Sequence, residues 1–354
     1  MQQGHLRRVL FGPITVERDQ IVWSRSIVTA IISAILVLAC LEFDQLSAAP
    51  PLVLGALFVG VANTGTKPSE QIKGMAWCLM WAALATLMGG LIATLSIGQI
   101  PFAMAAALLA GFAGALGTRG TLIGILSMVL FVAYSGAPDS DRTAITTAVL
   151  LILGGLVQLL IGGAIALAFN RQKPLTDQVG EISHSVVDRL KAHRTRADEF
   201  VRHALRLAVA VGVATAVAQS TGWPHEYWIP MTVVWVARPD RHGTTTRVVE
   251  RILGTLLGVG IAFVFIHLIG TGTVLTAIYI LISSLFFLAF INANYPLAVA
   301  GLTLSAVVLF SLEGDSLRET IPYITLGTLI AAVIMVAASY LWTYKPPVTD
   351  PAES

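Results

Sequence analysis

Twelve apolar stretches without a charged side chain constrain this sequence more than any other feature. None of the 22 Lys and Arg or the 20 Asp and Glu falls within them. A charge at the centre of a bilayer costs at least ~2.5 kcal/mol, and a helix needs about 20 apolar residues to cross the hydrocarbon core. Because lipid offers the backbone no hydrogen-bond partner, such stretches are predicted to be helices. They cover residues 27–41, 51–62, 74–95, 101–117, 120–135, 143–169, 207–218, 227–237, 252–270, 272–291, 295–312 and 320–342.

Composition excludes most other kinds of protein. Charged residues make up 12% of the chain and hydrophobic residues 56%, whereas an ordinary soluble domain has roughly 25% charged residues. Such a chain is neither a soluble globule nor disordered, and it is not expected to bind nucleic acid. We therefore expect an all-α, polytopic transmembrane bundle of about twelve spans, in contact with the lipid bilayer.

The positive charges indicate an orientation. If the amino terminus is assigned to the cytoplasm, 20 of the 22 Lys and Arg lie on the cytoplasmic side, and the exceptions are Arg142 and Arg318. This bias follows the positive-inside rule. The first 20 residues lack the pattern of a cleaved signal peptide. We expect a multi-pass protein of the bacterial inner (plasma) membrane with both termini in the cytoplasm.

A long charged stretch, residues 170–206, separates six apolar runs from six others. Because six is an even number of spans, the halves would be parallel repeats. Apolar residues recur within the stretch at spacings of three and four, which predicts an amphipathic helix. That helix lies on headgroups, packs on another cytoplasmic element or is a solvated linker. The expected domains are a cytoplasmic amino-terminal segment (1–26), a first six-span repeat (27–169), the cytoplasmic linker helix (170–202), a second six-span repeat (203–343) and a cytoplasmic tail (344–354).

Each half has an unusually short second apolar run next to a proline. Residues 51–62 follow Pro50, and residues 227–237 contain Pro230. At 1.5 Å per residue, neither run crosses a hydrocarbon core of about 30 Å unaided. Paired, interrupted segments at matching positions point to the binding site of a transporter. The alternative is that both helices tilt little and extend into the headgroups.

A motif in the second half carries a family resemblance. Residues 227–234 read YWIPMTVV, and residues 247–258 follow the pattern R-x-x-x-R-x-x-G-T-x-x-G. Together, over about residues 203–260, they closely resemble the core signature of the fusaric acid resistance protein-like (FUSC) membrane proteins, which include aromatic carboxylic acid exporters. Parts of the motif are also similar to the plant aluminium-activated malate transporters, which pass organic anions. The first half lacks the arginine pattern, so the halves are not expected to contribute equally.

The resemblance implies a function and partners. The expected function is secondary transport, with export of small organic anions such as aromatic carboxylic acids. A periplasmic adaptor protein is an implied partner. Six-span relatives pair up, so the tandem chain either mimics that dimer alone or forms a homo-oligomer. A passive organic-anion channel and a non-transporting membrane scaffold are the alternatives.

Eight residues in and beside the motif are the candidate substrate-binding residues. Arginine attracts carboxylates and binds them through two donors, tryptophan offers a stacking face, and threonine offers a hydroxyl donor. The alternative roles are headgroup contacts for the arginines, interfacial anchoring for the tryptophans and backbone hydrogen bonds for the threonines. The candidates are Trp228, Pro230, Thr232, Trp235, Arg238, Arg247, Arg251 and Thr255.

No enzyme motif is present in the sequence. It contains neither a Walker A sequence nor an HExxH pattern. Cys40 and Cys78 are isolated in or at the end of apolar runs, without the spacing of metal ligands. We expect no catalytic residues, no cofactor and no metal.

Overall fold

The computed structural model describes residues 16–95, 98–136, 143–169, 197–270, 272–312, 314 and 316–341. All regular structure within these residues is helical, which confirms the predicted all-α class. Twelve α-helices coincide with the twelve apolar runs, and a π-helical turn, Phe265–Ile269, extends the ninth. The helices are α1 Trp23–Glu42, α2 Ala49–Val61, α3 Pro68–Ala93, α4 Ile100–Ala113, α5 Thr118–Gly136, α6 Ala144–Phe169, α7 Ala197–Thr221, α8 Trp228–Val236, α9 Arg241–Val264, α10 Thr273–Phe290, α11 Tyr295–Leu312 and α12 Leu317–Leu341.

Eight of these helices are long and apolar enough to cross a membrane, namely α1, α3, α5, α6, α7, α9, α10 and α12. Helices α2, α4 and α11 are apolar but shorter, and α8 has only nine residues. Length and composition therefore support eight spans in the described part of the chain, and the predicted count of twelve is not confirmed.

The same pairs of helices pack in the two halves. In the first half, α2 packs on α6, α3 packs on α5 and α6, and α1 packs on α2. In the second half, α8 packs on α12, α9 packs on α11 and α12, and α7 packs on α8. The main contacts between the halves are α4 with α7 and α10 with α1. These two contacts are equivalent, because α10 corresponds to α4 and α7 corresponds to α1. Most helix contacts of the first half thus recur six places later, whereas the contact of α8 with α5 has no comparable counterpart between α2 and α11.

In each half, one arginine donates hydrogen bonds to the loop that follows the short helix. Arg25, at the start of α1, donates from Nη1 and Nη2 to the carbonyl oxygens of Asn63 and Gly65, at 2.7 and 3.1 Å. Arg206, on α7, donates from Nη2 to the carbonyl oxygen of Arg238. These bonds place the loops before α3 and α9 in similar positions relative to the helix that opens each half.

The two short helices lie where the sequence predicts them. Pro50 and Pro51 begin α2, and Pro230 lies in the first turn of α8. At the start of a helix the missing N–H of proline has no intrahelical partner to lose. All nine residues of α8 are buried. Because α8 ends at Val236, α9 begins only after an extended connection at Ala237.

Glycines let α9 approach the backbone of α11. A Cβ atom on Gly254 would lie 2.5 Å from the carbonyl oxygen of Pro296, and one on Gly258 would lie 2.6 Å from that of Ala300. Both distances are below van der Waals contact, so only glycine fits without movement. This close packing fixes the face of α9 that points toward α8 and α12.

Part of the predicted cytoplasmic structure lies outside the described residues. Of the expected linker helix, 170–202, only the residues from Ala197 onward are described, and they form the start of α7. The amino-terminal segment before residue 16 and the tail from residue 342 also lie outside the described part of the chain.

Candidate functional site

A cavity of about 340 Å³ opens beside the first turns of α9. We call it the vestibule. The α8–α9 connection, the start of α9 and the connection between α10 and α11 form its wall. The charged and phenolic side chains in that wall are Glu17, Arg238, Arg247, Glu250 and Tyr295. Two predicted residues, Arg238 and Arg247, are thus brought together in one polar cavity.

Arg247 is oriented by contacts on two sides. Its Nη1 atom lies 3.3 Å from Oε2 of Glu250, one turn along the same helix. Its Cζ atom lies 3.9 Å from the centroid of the Tyr295 ring, a cation–π distance. The Tyr295 hydroxyl donates in turn to the carbonyl oxygen of Trp235, at 3.5 Å. The Arg247 guanidinium is therefore held in the wall of the vestibule and not turned toward lipid.

Arg238 lies at the base of the vestibule. Its Nη1 donates to the carbonyl oxygen of Ala237 at 2.8 Å. Burial is the main cause that lowers the pKa of the Arg238 guanidinium, and the positive charge of Arg247 adds to it. Nearby acidic groups, among them Glu250, act in the opposite direction. The guanidinium remains a cation at neutral pH, but it is a partly dehydrated one, which favours pairing with an anion.

Arg251 is buried inside the bundle, one turn beyond Arg247. Only 1% of its surface is exposed, and within the described part of the chain none of its three side-chain nitrogens has a partner with good hydrogen-bond geometry. Among the described residues, no carboxylate lies within ion-pair distance of it. The Tyr295 side chain interacts with it electrostatically. Its Cζ atom lies 5.5 Å from the centroid of the Trp228 ring. The guanidinium is therefore dehydrated, its polar neighbour is the Tyr295 side chain, which also acts as a weak hydrogen-bond partner, and it has no carboxylate partner among the described residues.

Other buried polar atoms of α8 to α11 also lack partners. They are the hydroxyls of Thr232, Thr255, Ser284 and Thr303 and the indole N–H of Trp235. Proteins leave few buried polar atoms unsatisfied, and each costs about 1–3 kcal/mol. Water or a polar ligand between these helices would remove that cost.

Trp228 does not anchor the protein at a membrane interface, which was one of its two expected roles. It is 3% exposed, and its Nε1 donates to Oγ1 of Thr328 at 3.1 Å. Thr328 is near the middle of α12. Trp228 therefore lies deep in the bundle beside Arg251, consistent with the alternative role of stacking face.

Two predicted site residues lie apart from the arginines. Trp235 packs edge to face on Phe287, with ring centroids 6.3 Å apart. Pro230 borders a separate space of about 10 Å³ beside α5 and α7, and it is not part of the vestibule wall. Pro230 thus shapes the start of α8 and does not face the vestibule.

Several residues of the site were missed at the sequence level. Glu250, Tyr295, Ser284 and Thr303 are not among the candidates that the sequence indicates. The position of Tyr295, directly after the uncharged turn of residues 292–294, was the one available signal. The sequence cannot say which hydroxyls of an apolar run face the bundle interior.

The first half has no counterpart of the buried arginine. Counted from the first residue of each helix, Arg251 is the eleventh residue of α9, and Cys78 is the eleventh residue of α3. Cys78 is also buried, and its Sγ donates to the carbonyl oxygen of Phe58 at 3.4 Å. At this pair of equivalent positions, the second half thus has a buried arginine and the first half has a buried cysteine.

The fold and the site together define an all-helical, multi-pass membrane protein with an arginine buried in its bundle. Within that class, residues 213–338 match the family model described as "Fusaric acid resistance protein-like". This match covers about a third of the chain and supports the family resemblance seen in the motif.

Two curated relatives each match about half of the chain. The chain is 32% identical over 174 residues to the inner membrane protein YccS of Escherichia coli (strain K12), covering 49% of this chain and 24% of YccS. It is 31% identical over 176 residues to an uncharacterized protein of Haemophilus influenzae, covering 48% of this chain and 24% of that protein. The chain thus spans about a quarter of the length of these two relatives. No solved structure gives a significant match.

Proposed function

We propose that this protein is a secondary transporter that exports small organic anions, such as aromatic carboxylic acids, across the bacterial inner membrane. The observation that carries the proposal is Arg251, a buried guanidinium without a carboxylate partner. An isolated charge in an apolar interior is costly. A bound anion would offset part of that cost and would make the site complete. The direction of transport and the aromatic preference rest on the family resemblance.

The arrangement of α9 supports a route from the vestibule to Arg251. Arg247, Arg251 and Thr255 follow one another at intervals of four residues, so they share a face of the helix. Arg247 lies in the vestibule wall, and the other two are buried. Successive positions are about 6 Å apart along the axis, at 1.5 Å per residue. An anion that enters at Arg238 and Arg247 would reach the next cation after one helical turn.

The side chains near Arg251 suit an aromatic carboxylate. A guanidinium can donate two parallel N–H bonds to a carboxylate. The Trp228 ring beside it offers an apolar face for an aromatic body. The buried hydroxyl of Thr255, one turn further along α9, would supply a further donor. A large, strongly hydrated anion would lose more hydration energy here than these groups return.

The packing pattern supports two parallel six-helix repeats. Equivalent helix pairs pack in each half, and the contacts between the halves exchange with them. We infer an axis along the membrane normal, with α2 and α8 as the short second helices of twelve membrane segments. The Lys and Arg distribution supports cytoplasmic termini and a cytoplasmic vestibule. The periplasmic adaptor and self-association are proposed on the family resemblance.

Counterflow in proteoliposomes tests the proposal. Liposomes that contain the purified protein are loaded with unlabelled benzoate, and the uptake of labelled benzoate is followed. Wild-type protein should show counterflow, and Arg251→Gln should reduce it at least tenfold, the loss expected when a charge-assisted pair is removed. Arg119→Gln, on the exposed start of α5, is the matched control and should not differ from wild type. Normal counterflow by a folded, inserted Arg251→Gln protein would reject the proposal.

A further inference from the structure

We propose that Glu250 is an internal counter-ion of the vestibule, and that binding of a substrate anion is coupled to uptake of one proton by Glu250. This inference rests on the proposed function because it concerns the vestibule through which the anion would reach Arg251. It names a coupling ion, which neither the motif nor the family resemblance identifies.

Glu250 forms an ion pair with Arg247, the cation that an incoming anion would bind. Its Oε2 atom lies 3.3 Å from Nη1 of Arg247, and its side chain is only 16% exposed. It also interacts electrostatically with Arg238, the second arginine of the vestibule. In the remainder of the described chain, the other ion pair joins Arg119 to Glu70, and both of these side chains are at least 40% exposed. Glu250 is thus the half-buried carboxylate that satisfies the vestibule when no substrate is present.

A substrate carboxylate and an ionised Glu250 compete for the same guanidinium groups. When two carboxylates share a site, one of them takes up a proton because both cannot ionise without a large energetic cost. A protonated Glu250 needs no guanidinium partner, and it releases Arg247 to the substrate. Anion binding and protonation of Glu250 therefore favour each other.

The other charged or titratable groups around Glu250 do not provide this link. Arg238 and Arg247 are the cations for which the two carboxylates compete. Tyr295 contacts Arg247 through the face of its ring. Glu17 is exposed, and its backbone N–H donates to the carbonyl oxygen of Ala293 at 3.0 Å. Water and salt screen an exposed carboxylate, so Glu17 responds weakly to a new charge in the vestibule.

The coupling has a consequence for transport. One monovalent anion and one proton bound together add no net charge to the vestibule. The anion's affinity should rise as the pH falls, by up to tenfold per pH unit where the coupling is complete. A load of this kind would move outward down the gradient of the anion and would be opposed by a proton gradient that is acidic outside, whereas a bare anion would respond to the membrane potential.

Calorimetry on the purified full chain tests the inference. Benzoate is titrated at one pH into protein in several buffers with different ionisation enthalpies, and the number of protons taken up per benzoate is obtained from the slope. Wild-type protein should take up close to one proton. Glu250→Gln should bind benzoate about tenfold more tightly at pH 7 and should take up none. Glu70→Gln, which removes the other ion pair, should behave as wild type.

The possible failures are distinguishable. Benzoate binding by wild type without proton uptake would overturn the inference and leave the proposed function intact, as would a Glu250→Gln protein that still takes up a proton. If wild type binds neither benzoate nor any other carboxylate tested, both proposals fail. If Glu250→Gln does not fold, the proton count of wild type alone decides.

Discussion

The guanidinium of Arg251 and the indole ring of Trp228 lie against each other deep in the bundle, 5.5 Å from Cζ to ring centroid. The two residues come from different helices, α9 and α8, and both are at least 97% buried. A cation that faces an aromatic ring is stabilised by the ring's electrons. That contribution is smaller than the cost of burying an unpaired charge. A bound anion would therefore stabilise Arg251 further.

Replacing Trp228 should separate its packing role from its role toward substrate. Trp228→Leu removes the aromatic face and the bond to Thr328, so we expect benzoate affinity to fall by about tenfold, and the melting temperature to fall with it. Trp228→Phe retains a ring and should lose less benzoate affinity. Acetate, which has no aromatic body, serves as the control ligand. An equal loss of acetate and benzoate affinity in both variants would contradict a stacking role.

Gly258 and Gly260 form a matched pair for testing the α9–α11 contact. A Cβ at Gly258 would lie 2.6 Å from the carbonyl oxygen of Ala300, whereas a Cβ at Gly260 would meet nothing within 4 Å. Gly258→Ala should therefore destabilise the protein by about 1–3 kcal/mol through overpacking. Gly260→Ala should be neutral or should stabilise by up to about 1 kcal/mol, since alanine favours helix. Thermal unfolding in detergent measures both, and equal effects would show that the contact is misplaced.

Glu226 should make stability depend on pH. It lies in the loop before α8, and partial burial raises the pKa of its carboxyl. The folded state therefore binds the proton more strongly than the unfolded state, and stability from this group is fully present below the ordinary carboxyl pKa and is lost as the pH rises through the raised value. Glu226→Gln should remove this loss, so the variant should be more stable than wild type at pH 8. Melting curves from pH 4 to pH 8 for both proteins check the sign.

Asp240 should stabilise the start of α9, whose first turns border the vestibule. Its carboxylate accepts a hydrogen bond from the backbone N–H of Gly243, at 2.5 Å. Asp240→Ala should cost about 1 kcal/mol, the usual value of a lost helix cap, whereas Asp240→Asn should cost less because asparagine also caps helices. Thermal unfolding compares the two variants, and an Asp240→Ala protein as stable as wild type would show that the cap contributes nothing.

The positions of the helices could be predicted from the sequence, but their crossing of the membrane could not. Charge-free runs mark where each helix lies because charge is excluded from the hydrocarbon core. The apolar run that contains α8 is short, and its length does not show whether this helix crosses the membrane. In the structure, nine buried residues pack against neighbours on every side, so its position depends on tertiary contacts that a single sequence does not reveal.

The candidate site could be predicted only in part. The motif predicts Arg247 and Arg251 as binding residues, but it does not distinguish their environments. In the structure, Arg247 lies in the vestibule and Arg251 is buried. Arg251 lies one turn further along α9 than Arg247, beside Trp228 of α8. The importance of Tyr295 was missed, since its contacts come from a distant part of the chain.

The account depends most directly on whether an anion from the vestibule reaches Arg251. We would place a cysteine one turn further, with Thr255→Cys in a protein that also carries Cys40→Ala and Cys78→Ala, and measure its rate of modification by a negatively and a positively charged methanethiosulfonate. The account predicts faster reaction with the negative reagent, and slowing of that reaction by benzoate. No reaction with either reagent, or equal rates that benzoate leaves unchanged, would contradict it.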